Sequence, residues 1–162
     1  MLRRVTLATT IAATLVVALF APVSAAEQRP FQARFTGGAV EADQRCGPNA
    51  LTIGWQVSGV GTSIGRYTAS GTNCTEFTLG TQAVDIWDGI ILLRAADGST
   101  LTFGSHGSQA APSGGIAVAT QTLTVTSGTG RFADAAGVLN LTSTVYFADL
   151  TTSGSVYGWL SY

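Results

Sequence analysis

The sequence has no lysine and one histidine, and only 10% of its residues are charged. Without lysine, a Gly-Lys-Ser/Thr phosphate loop cannot be built. One histidine and two cysteines leave no zinc ligand set. With a single histidine, any general-base or triad chemistry must run through His106. All eight basic residues are arginine, and none are clustered after Arg3-Arg4. A nucleic acid or an anionic membrane needs a large positive face, which this composition cannot supply. Convincing three-to-four residue apolar spacing is also missing after Phe31, which argues against a helical domain.

The chain opens with Arg3 and Arg4, then an uncharged stretch from Val5 to Phe20, then Val-Ser-Ala at 23 to 25. That is the pattern of a secretory signal peptide with cleavage after Ala25. The apolar run is short and diluted by threonine, so no stable membrane anchor is expected after cleavage. Residues 1–25 are read as the signal peptide and 26–162 as a single domain of the exported protein. Six arginines against nine acids give that part a formal charge of −3. In an oxidising compartment Cys46 and Cys74 are expected to form a disulfide, since an even cysteine pair in a secreted chain most simply means a bridge.

Period-two alternation recurs through the rest, clearest in Thr122 to Thr126 and Leu139 to Val145. Strands are expected near Phe31 to Thr36, Leu51 to Gly59, Ile64 to Ser70, Glu76 to Leu79, Ala83 to Ala95 with a break at Asp88-Gly89, Thr100 to Ser105, Ile116 to Ser127, Val138 to Phe147 and Ser153 to Tyr162. Asp97-Gly98 marks a hairpin. Gly37 to Pro48 and Gly104 to Gly115 read as loops at a barrel mouth. Eight or nine short strands with no crossover helices leave a sandwich or a barrel. The alternation continues to Tyr162, which favours a barrel whose last strand seals against an early one. The fold class is therefore all-β, with a barrel favoured over a sandwich.

Between two alternating runs lies G-T-G-R-F-A-D-A-A-G, residues 128 to 137, a glycine-punctuated corner whose Phe132 and alanines can fold back under it. The corner resembles the G-x-G-x-F-x-x-A-x-G element of the allene oxide cyclase barrel proteins and the related plant dirigent proteins. I-G-R-Y-T-A-S-G-T at 64 to 72, A-A-D-G-S-T-L-T-F at 95 to 103 and G-S-V-Y-G-W-L-S-Y at 154 to 162 extend the likeness to bacterial secreted members of that group. The resemblance implies an all-β, eight-stranded antiparallel, calycin-like barrel, free of cofactor, whose apolar interior holds a small molecule. It acts there, if at all, by shaping a reactive chain. The acidic and polar pocket residues of the plant enzymes have no match in this sequence, so no catalytic residue is carried over.

Three functions follow as alternatives: a container for a small apolar molecule, a cyclase, isomerase or dirigent-type protein steering ring closure of such a molecule, and a structural or interaction barrel with a filled core. For a container, Trp55, Tyr67, Trp87 and Tyr146 are the wall candidates, because tryptophan and tyrosine combine an apolar face with a polar tip. Their ordinary role in a small barrel is core packing. For an enzyme, the polar candidates are Asp85 and His106. Asp85 shares a strand face with Trp87, and burial there would raise its pKa. A solvated acid at a strand edge and an exposed histidine at a loop start are the plainer readings. Asn73-Cys74-Thr75 and Asn140-Leu141-Thr142 match the glycosylation pattern, which is short enough to arise by chance.

Overall fold

The computed structural model describes residues 27–76 and 83–162. Eight strands follow one another in the chain: β1 Gln28–Asp43, β2 Ala50–Gly61, β3 Gly65–Glu76, β4 Val84–Ala95, β5 Thr100–Gln109, β6 Ile116–Gly128, β7 Ala136–Tyr146 and β8 Thr151–Ser161. Each pairs antiparallel with the next, and β8 returns to β1, so the sheet closes. Closure leaves no row of unpaired edge amides, the usual template for aggregation of β proteins. The signal peptide expected at 1–25 lies outside the described residues. Among those described, no helix is long and apolar enough to cross a membrane.

The strands form where the alternation is. In β1 Phe31, Ala33 and Phe35 are buried while Gln32, Arg34 and Thr36 are exposed. In β7 Leu139, Ser143 and Val145 turn inward between exposed Asn140 and Thr142. The Asp97-Gly98 turn joins β4 to β5, closed by Ala95 N–H donating to Ser99 O at 2.9 Å.

Two expected loops are instead strand. β1 continues through Gly37 and Gly38 to Asp43, with a bulge between Ala39 and Glu41. β5 continues through Ser105 to Gln109. In each case the partner strands supply the ladder, and glycine or polar residues erase the apolar signal. The loops proper are only 44–49 and 110–115. The short strand expected at Glu76 to Leu79 is partly the end of β3; residues 77–79 lie outside the described residues. The break expected near Asp88-Gly89 is a bulge within β4, with Asp88 at φ +48° and the β4–β5 register shifting between Ile86 and Gly89.

The 128–137 corner closes one end of the barrel. A 3-10 turn, Gly130–Phe132, drops the Phe132 ring into the sheet, where it is fully buried. Tyr162 meets that ring edge-on at 5.0 Å, and the Arg131 guanidinium stacks 4.7 Å from its centroid while pairing with Asp97 at 3.1 Å. Gly130 sits at φ +61°, and a Cβ there would collide with Ser99 Oγ, so glycine is required. Ile64, Leu101, Leu139 and Leu160 pack around the plug.

Candidate ligand cavity

With the β2–β3, β4–β5 and β6–β7 connections at the plugged end, loops 44–49, 110–115 and 147–150 surround the other. Between them the barrel interior holds a cavity of about 600 Å³. Its size falls within the range of about 300–1,000 Å³ usual for small-molecule sites. Phe35, Val57, Ile91, Leu93 and Phe103 form the deep wall, and Val40, Phe147 and Leu150 the rim. These three side chains are about half exposed, and Glu41 and Glu76 stand at the same mouth.

Few polar groups interrupt this surface. Trp55 Nε1–H donates to Asn73 Oδ1 at 2.7 Å, and both residues line the cavity. Tyr67 donates its hydroxyl to Arg34 O at 3.3 Å, and burial pushes its phenol up to about 12. Thr152 Oγ1 donates to Thr144 O at 3.0 Å. Ser105 is 6% exposed and its Oγ has no hydrogen-bond partner among the described residues; it rests against Gly89 at the β4 bulge. A buried hydroxyl without a partner carries an unrecovered desolvation cost. Ser70, Thr72, Thr75, Gln109, Gln121 and Ser143 complete the uncharged polar set.

The bridge expected between Cys46 and Cys74 is present, with Cα atoms 5.7 Å apart, and it ties loop 44–49 to β3 beside the mouth. On the same loop Arg45 pairs with Glu41 at 3.1 Å and with Asp43. The Arg45 backbone N–H is the main reason that the Asp43 carboxyl titrates below its usual range.

The residues singled out from the sequence separate by strand parity. Trp55 and Tyr67 line the cavity. Asp85 lies between buried Val84 and Ile86 and is exposed on the outer face. His106 follows inward Ser105 and is likewise exposed outside. Neither reaches the interior, and the two do not meet. Trp87 is half-buried and is not part of the lining; Tyr146 is 40% exposed on the outer face, although its neighbours Val145 and Phe147 do line the cavity. Sequence reasoning missed Asn73 and Ser105. The alternation after Phe103 points Ser105 inward and could have found it. Asn73 keeps the inward phase of Tyr67, Ala69 and Gly71 on β3, so the same alternation could have found it; the register shift beside it is the extra residue of the β4 bulge. The burial of Asn73 at 7% exposure also removes it as a glycan acceptor. No family model, curated protein or solved structure matches this chain.

Proposed function

We propose that this protein is a secreted, cofactor-free container that encloses one small apolar molecule inside the barrel. The observation that carries the reading is the cavity of about 600 Å³, walled by apolar side chains, plugged at one end and open at the other. A void of this size forgoes packing contacts that a filled barrel would make, a cost that bound ligand offsets. The disulfide is compatible with an oxidising compartment and so with export. A place among the allene oxide cyclase-like barrels is part of the same proposal, since the closed eight-stranded architecture agrees with it.

A thermal-shift and native-mass screen against fatty esters, fatty acids and polyenes tests the container. The expected result is a one-to-one adduct and a raised Tm, because a ligand at about a hundred times its Kd stabilises by about 2.7 kcal/mol. Absence of any stabilising compound would return the barrel to a structural role.

One observation favours a cyclase or isomerase as the second reading: Asn73 and Ser105 are buried polar groups set in a largely apolar wall. They could hold a reactive chain in one folded geometry, which accelerates ring closure by orientation alone. Asp85 and His106 face outward and take no part in it. Incubation of a bound polyene or epoxide, with product no greater than in a protein-free control, would remove this reading.

A further inference from the structure

The cavity has a charge character as well as a shape. Among the described residues that line it there is no arginine and no histidine, and the only ionisable side chains besides Tyr67 are Glu41 and Glu76 at the mouth. The wider distribution points the same way. Glu41, Asp43, Glu76, Asp85, Asp88 and Asp149 all stand in the mouth half of the barrel, where Arg45 is the only arginine described and is held by Glu41 and Asp43. Arg29, Arg34, Arg66, Arg94 and Arg131 lie in the plugged half. An anion entering the mouth meets a repulsive field, and inside it finds no cation to replace its water.

One buried polar group of the wall has a definite sense. Trp55 Nε1 can only donate, so the Asn73 atom 2.7 Å from it is the amide oxygen. That leaves the Asn73 NH₂ as the half that can serve a ligand, and it is a donor. Ser105, against the Gly89 bulge, adds a hydroxyl with no partner among the described residues.

We propose that the barrel selects uncharged apolar molecules bearing a hydrogen-bond acceptor, such as an ester or ketone carbonyl received by Asn73, and refuses carboxylates of the same chain. The selectivity rests on the container reading and sharpens it to a ligand class.

Displacement of Nile red, an uncharged apolar dye, by dodecane, methyl laurate and laurate at neutral pH tests both at once. Methyl laurate should compete at a concentration lower than laurate by about tenfold or more, because an unpaired carboxylate gives up its hydration for nothing. Laurate competing as well as its ester overturns the selectivity and leaves the container standing. If neither the dye nor any of the three enters, both readings fall. Asn73→Leu should weaken methyl laurate by about fivefold while leaving dodecane unchanged; equal loss for both overturns the role of Asn73. Glu76→Arg, on an exposed position at the mouth, should improve laurate and leave methyl laurate unaltered. No gain for laurate in that variant, if it folds as the parent does, counts against the charge argument.

Discussion

Single side chains decide which of the interior and outer faces carries chemistry, and their effects can be measured one at a time. Phe132 seals the barrel end at 0% exposure, so Phe132→Ala should cost about 3–5 kcal/mol in urea unfolding. At the β4 bulge a Cβ on Gly89 would run into the Ser105 hydroxyl and lie 2.9 Å from its carbonyl oxygen. Gly89→Ala should therefore destabilise by about 1–3 kcal/mol. Ser105→Ala alone should lose nothing, and combined with Gly89→Ala it should recover part of the loss but not all, because the carbonyl contact remains. Tyr67 gives a pH signature. Its phenol titrates at about 12 in the fold against 10 ordinarily, since burial disfavours the phenolate. The unfolded chain thus releases its proton first, and the contribution of Tyr67, full below pH 10, is lost as pH rises through 12. Tm should fall more steeply over that window for the parent protein than for Tyr67→Phe, and parallel curves would contradict the assignment. Trp55 and Tyr67 were legible in the sequence because their chemical type suggests a wall. Asp85, His106, Trp87 and Tyr146 show the weakness of choosing by type: on a strand, inward Val84 and Ile86 put Asp85 outside whatever its chemistry.

At the level of elements, the strands with clean alternation, β6 and β7 above all, could be read directly, and so could the Asp97-Gly98 turn. The rest was hidden for one physical reason. Bulges in β1 between Ala39 and Glu41 and in β4 between Ile86 and Gly89 shift parity within a strand, so β1 and β4 do not show one period throughout. β1 through Gly37 and Gly38 is strand because β2 and β8 flank it, information held far away in the chain. The Cys46–Cys74 bridge was legible from compartment and count, although its place beside the mouth was not. Crosslinking residues 28 apart should contribute about 3.6 kcal/mol by loop-closure entropy, so a Cys46→Ala/Cys74→Ala variant should unfold at correspondingly lower urea. An unchanged midpoint would mean that the β2–β3 ladder already holds the loop.

For the molecule as a whole, closure and the plug leave the interior open, among the described residues, at the end where the acids gather, and the proposed choice of ligand rests on that end. The architecture was legible as a barrel from eight or nine short runs, alternation that continues to Tyr162, and a corner. The void was not, because sequence shows which residues face inward but not whether their volumes fill the space between opposite walls. Alanines at 69 and 119 facing the interior are part of why they do not. The central claim is that this interior takes up one uncharged apolar molecule, and native mass spectrometry of the parent protein beside Ala119→Trp tests it most directly. Ala119 is 3% exposed and lines the cavity, so an indole there occupies the space a ligand would use. The account predicts a one-to-one methyl laurate adduct on the parent and its loss in a folded Ala119→Trp variant; no adduct on the parent, or the same adduct on both, would contradict it.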